Sequence, residues 1–144
     1  MKKKSIFLMS LLLGLAAATT VACSSDDELN APPAVAATFE LMYPGIVPQW
    51  EFEQNMWNAE FRKDSREMEA WFQTDGTWVM TETDIAVTEL PAAVVAAVNA
   101  NYPDYAIDDA EWVETPLQDY FEVELDRKGQ PDVHLKITEE GVIL

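Results

Sequence analysis

One cysteine, Cys23, and one histidine, His134, stand in 144 residues. A lone cysteine cannot close an internal disulfide, so the fold is not oxidatively stapled. With one histidine, a histidine-rich metal site or a Ser-His-Asp triad has little to build on. With Cys23 assigned to the mature N-terminus, as read below, a cysteine–histidine zinc site and a thiol nucleophile are not expected. The five glycines form no phosphate-cradling loop. Asp126 to Asp132 lacks the spacing of a calcium-binding EF-hand, with Pro131 at its sixth position. Positive charge is scarce as well, nine Lys and Arg against 26 Asp and Glu, for a formal net charge of −17. Such a field repels phosphate backbones and anionic headgroups, which argues against nucleic acid as a partner. Carboxylates this numerous cannot single out a glycosidase-like pair. The sequence therefore supports no catalytic constellation, and no cofactor is expected.

The amino terminus carries targeting information. Lys2, Lys3 and Lys4 precede an apolar run from Ile6 to Ala18, shorter than the roughly 20 residues that a membrane span needs. Val21-Ala22-Cys23 then resembles a bacterial lipobox. The resemblance implies removal of residues 1–22 as a lipoprotein signal peptide, lipid attachment at Cys23 and anchoring to a membrane surface without spanning it. The alternative is an ordinary secretory signal with an incidental cysteine. Ser24-Ser25-Asp26-Asp27-Glu28 resembles the export tract of surface lipoproteins of Bacteroidota, and read alone it is a solvated linker. The expected location is the cell envelope, as an outer-membrane lipoprotein on either face of that membrane. Loss of the three leader lysines leaves six cations against 26 acids, a formal charge of −20.

Beyond this lipidated cysteine and acidic tether, 23–32, the sequence repeats itself. Val35, Phe39, Tyr43 and Pro44 recur as Val94, Val98, Tyr102 and Pro103, at a constant offset of 59. Glu60-Phe61 recurs as Glu122-Val123 at 62, and Asp75-Gly76-Thr77-Trp78 as Glu140-Gly141-Val142-Ile143 at 65. The growing offset marks small insertions. Each copy, about 33–85 and about 88–144, opens with an amphipathic helix that a Tyr-Pro pair ends, since proline disfavours helical geometry in the residue before it. Val35, Phe39 and Met42 form the first apolar stripe, and Val94, Val95 and Val98 the second.

Three alternating segments follow in each copy. Trp57, Ala59 and Phe61 alternate with Asn58, Glu60 and Arg62, and Met68, Ala70 and Phe72 with Glu67, Glu69 and Trp71. Asp64-Ser65 and Thr74-Asp75-Gly76 supply turns. In the second copy Phe121, Val123 and Leu125 alternate with Tyr120, Glu122 and Glu124, Asp126 to Asp132 turns, and Val133, Leu135 and Ile137 alternate with His134 and Lys136. Val142-Ile143-Leu144 closes the chain as a last strand. The fold class is α+β, with two tandem units of one helix and a three-stranded antiparallel meander, one curved sheet, and both helices on one face.

From the duplicated helices, Trp50 and Trp112 shortly after them, and the Asp75-Gly76 and Glu140-Gly141 turns, the chain resembles the PepSY-like, or β-lactamase-inhibitor-like, family over residues 33–144. The resemblance implies secreted or lipid-anchored proteins with two helix-plus-sheet modules. For the related inhibitors it implies an exposed sheet face that clamps an enzyme.

With Phe61, Met68, Phe72, Phe121 and Leu135 turned toward the helices, Trp71 and Tyr120 fall on the outer face beside Arg62, Glu69, Glu122, His134 and Lys136. Exposed aromatics among charges fit a protein-binding surface; ordinary cross-strand packing would produce the same pattern. Trp50, Trp57, Trp78 and Trp112 are assigned to the core or its rim. The leading expectation is a non-enzymatic, lipid-anchored envelope protein that binds an envelope or secreted protein, as an inhibitor of a hydrolase or protease. The competing expectations are a cation or small-ligand module built on Glu60, Glu69, Glu122 and Glu124, and an accessory lipoprotein without a specific ligand.

Overall fold

The computed structural model describes residues 29–144; the leader, Cys23 and the acidic tract lie outside the described residues. Helix α1 spans Pro33–Met42 and helix α2 spans Ala92–Asn101. Helix α1 begins at Pro33, whose missing N–H has no helical partner in the first turn, α2 is preceded by Pro91 at its N-cap, and each ends on the tyrosine before a proline. Tyr43 and Tyr102 leave helical geometry at φ −132° and −133°. Their N–H groups close the last turn on Phe39 at 2.8 Å and Val98 at 2.7 Å. Among the described residues no helix is long and apolar enough to cross a membrane.

The strands are β1 Gln49–Glu53, β2 Met56–Lys63, β3 Arg66–Phe72, β4 Trp78–Asp84, β5 Ala106–Glu114, β6 Tyr120–Asp126 and β7 Val133–Ile137. They form one seven-stranded antiparallel sheet in sequential order. Strands β4 and β5, although separated by α2, pair directly from Thr81↔Glu114 to Asp84↔Glu111. Two of these strands were not among the expected segments. β1 is joined to β2 by Gln54-Asn55, both at positive φ, a hairpin turn without the glycine that usually signals one. β5 carries an irregularity between Ile107 and Asp109, which breaks the two-residue alternation. Conversely, the expected closing strand Val142–Leu144 is reduced to a single bridge between Ile143 and Ile137.

The helices cover two neighbouring cores. Val35, Phe39 and Tyr43 pack with Ala59, Phe61, Ala70 and Phe72, and Trp50, Trp57, Met68 and Trp78 lie against them. Phe39 is the hub, with ring centroids 5.1 Å from Phe61, 5.2 Å from Tyr43 and 5.4 Å from Trp50. Tyr43 replaces Met42 in the expected stripe, because Met42 is turned to solvent. The Tyr43 hydroxyl meets Thr81 Oγ1 at 3.0 Å, so its burial leaves the oxygen satisfied. The second core is largely aliphatic, with Val94 and Val98 against Ala110, Val123, Leu125, Leu135 and Ile137, and Trp112 at its rim.

The two turn glycines lock the sheet to the helices. Gly76 has φ +90°, and a Cβ there would stand 2.7 Å from the Ala34 carbonyl oxygen. Gly141 has φ +86°, and its Cβ would stand 2.6 Å from the Ala93 carbonyl oxygen. Only glycine combines this backbone with so close an approach. Both turns carry equivalent hydrogen bonds, Gln73 N–H to Thr77 and Gly76 N–H to Gln73, then Thr138 N–H to Val142 and Gly141 N–H to Thr138.

Candidate functional site on the polar side of the sheet

Successive strand residues alternate in direction, so every second side chain points away from the two cores. The register aligns these residues into rows. Glu60 faces Glu69, and Glu69 faces Glu82. In the next row Asp84 faces Glu111, Glu111 faces Glu122, and Glu122 faces Lys136. Two ladders of three carboxylates therefore cross the middle strands. Like charges directly opposite each other destabilise an antiparallel pair, so folding alone gains nothing from this arrangement.

The ladders are embedded among large side chains. Trp71 donates its indole N–H to Glu82 Oε2 at 2.9 Å, and Asn58 donates Nδ2–H to Glu69 Oε2 at 3.0 Å. Lys136 Nζ donates to the Tyr120 hydroxyl at 3.1 Å and lies 4.9 Å from the centre of that ring. Burial raises the affinity of these carboxyls for protons. It pushes Glu82 up to about 7, helped by the charges of Glu69 and Glu122 and opposed by the Trp71 hydrogen bond and by Lys136. Glu111 is pushed up to about 8 by burial and then by Glu82, Glu122, Asp84 and Asp109. Glu69 and Glu122 are also raised, chiefly by burial, against the Asn58 bond in one case and Lys136 and His134 in the other.

All seven residues singled out from the sequence stand on this side of the sheet, but not in one cluster. Trp71, Glu69, Glu122, Tyr120 and Lys136 belong to the central rows. Arg62 sits beside the β2–β3 turn, where it meets Glu67 at 3.6 Å. His134 is exposed on β7 opposite Glu124. The expected exposure of the two aromatics is corrected: Trp71 is 7% and Tyr120 9% exposed, because their polar tips are held by Glu82 and Lys136. The ladder members Glu82, Asp84 and Glu111 were missed from sequence. Their signal was present in the alternation of Thr81 and Thr83 with Glu82 and Asp84, and of Ala110 and Trp112 with Glu111.

The four carboxylates considered for cation binding are not brought together. Glu60 and Glu69 face each other, while Glu122 and Glu124 lie on β6, three strand spacings or about 14 Å from β3. Among the described residues no group of three or more His, Cys, Asp or Glu is placed to hold a metal ion.

A family profile described as "Putative beta-lactamase-inhibitor-like, PepSY-like" matches residues 55–144. The chain belongs to the PepSY-like family. The matched region of this PepSY-like chain runs from β2 to β7 and contains both ladders. Solved structures agree in fold. A BLIP-like protein from Bacteroides fragilis is 29% identical, with a TM-score of 0.70, over 81% of this chain and 84% of its own. A DUF2874 family protein from Bacteroides uniformis is 28% identical, with a TM-score of 0.73, over 79% and 86%. A structure from Bacteroides eggerthii described as "putative periplasmic proteins" is 28% identical, with a TM-score of 0.72, over 80% and 86%. No curated protein matches the chain.

Proposed function

We propose that this PepSY-like protein is a non-enzymatic, lipid-anchored envelope protein that binds another protein through the polar side of its sheet, as an inhibitor of a hydrolase or protease. The observation that carries the reading is the pair of carboxylate ladders flanked by Trp71 and Tyr120. A sheet selected for stability alone would not set four pairs of like charges directly opposite one another. In this reading the domain is two tandem helix-plus-sheet units with both helices on one side of a curved sheet, leaving the other side for a partner. Continuity of register supports it: Ala59, Ala70 and Thr81 share a row, as do Ala110, Val123 and Leu135. So does the equivalence of the Gly76 and Gly141 turns. Lipid on Cys23 would hold the domain at the outer membrane.

The test is site-specific photo-crosslinking of the full-length chain in envelope extracts. A photoreactive side chain at Arg62 or His134, both exposed on the polar side, is compared with one at Asn99, exposed on α2. Adducts to one protein from Arg62 and His134 but not from Asn99 are expected. Adducts formed equally from Asn99, or from none of the three, would refute the assigned face.

A further inference from the structure

The carboxylate ladders specify the chemistry of whatever covers them. Resting on the protein-binding reading above, we infer that the partner presents a lysine- or arginine-bearing segment to the ladders, with its cationic groups over Glu69, Glu82, Glu111 and Glu122. Charge complementarity is the first argument. Glu111 has no hydrogen bond or ion pair among the described residues, and every neighbouring charge that acts on it is negative, from Glu82, Glu122, Asp84 and Asp109. Lys136 closes only the β7 end of its row, and the described ion pairs of Arg62, Arg66 and Arg127 are made with Glu67, Glu89 and Asp104.

The second argument is an acceptor without a donor. Asn58 is 2% exposed, stands opposite Trp71 on the same side of the sheet, and gives its amide hydrogen to Glu69. Its Oδ1 has no hydrogen-bond partner. A buried acceptor left unsatisfied is costly, and the only kind of group that would satisfy it is a donor. The Glu69 carboxylate beside it calls for the same thing. An ammonium or guanidinium supplies several N–H donors together with the opposite charge, and guanidinium matches a carboxylate in a two-bond fork. A divalent cation does not fit, since the acidic groups do not converge into a coordination shell.

Octalysine is the probe, titrated calorimetrically into the full-length chain in detergent at low salt and pH 9.0, above the value of about 8 to which Glu111 is raised, so that the ladder is ionised. Two variants carry the same charge change. Glu111→Gln/Glu122→Gln neutralises the ladder, and Asp132→Asn/Glu139→Gln neutralises exposed loop acids elsewhere. Saturable binding is expected, weakened at least about tenfold by the ladder pair, as close charge pairs at interfaces are, and less than about twofold by the loop pair. Removing opposed charges relieves repulsion, so the ladder variant keeps its fold, which its melting curve checks. No binding, equal weakening by both pairs, or displacement of octalysine by calcium at equal concentration would overturn the inference. A partner crosslinked from Arg62 and His134 whose contacting segment carries no lysine or arginine would overturn it too, while leaving protein binding through this face intact. Absence of any crosslink from the face would instead refute the protein-binding reading itself.

Discussion

Neutralising Glu111 should stabilise the protein at alkaline pH and not at acid pH. The carboxyl has its proton affinity raised in the folded state, to about 8 from an ordinary 4.5. Below 4.5 it is protonated in both states and costs nothing. Between 4.5 and 8 the unfolded chain loses the proton while the folded one keeps it, so stability falls as pH rises through that window. At about 1.36 kcal/mol for each pKa unit, the loss accumulated between pH 5.0 and pH 8.5 is about 3–4 kcal/mol, a large share of the roughly 5–15 kcal/mol that holds a domain together. Glu82, raised to about 7, acts in the same direction, so the wild type should lose stability across this range. Asp75, Glu89 and Glu140 have lowered pKa values; what they contribute is lost only toward acid, outside the window. Urea denaturation at both pH values measures the effect. Glu111→Gln should match the wild type at pH 5.0 and exceed it by about 3 kcal/mol at pH 8.5. A wild-type stability that does not change between the two, or a variant with the same slope as the wild type, would refute the burial of this carboxyl among like charges.

Trp71→Phe removes the indole donor that holds Glu82 in its ionised form, so the Glu82 carboxyl should titrate above about 7 in NMR; an unchanged or lower value would contradict the bond. Gly76→Ala and Gly141→Ala should each cost at least about 2 kcal/mol in chemical denaturation, from positive φ and collision with a helix carbonyl. Gly129→Ala, at φ +79° in open space, should cost about 1 kcal/mol. Phe39→Ala empties the centre of the first core and should cost about 3–5 kcal/mol, whereas Leu41→Ala, 85% exposed, should stay within about 0.5 kcal/mol.

The sequence by itself determined the parts whose cause is local. Proline after Tyr43 and Tyr102 ends each helix wherever the helix packs, because the restriction acts on the adjacent residue. The period of two in β2, β3, β6 and β7 settles which side chains face a core, and Gly76 and Gly141 mark turns no other residue makes without strain. Tertiary structure decided what depends on neighbours distant in the chain. β1 and β5 became strands because β2 and β6 offered hydrogen-bonding edges, despite a turn without glycine and an irregular register. Trp71 and Tyr120 became buried because Glu82 and Lys136 took their polar tips. Above all, Glu69 met Glu82 and Glu111 met Glu122 only through strand register. Proton affinity follows burial and the charge across the strand, and neither is a property of the residue's own stretch of sequence.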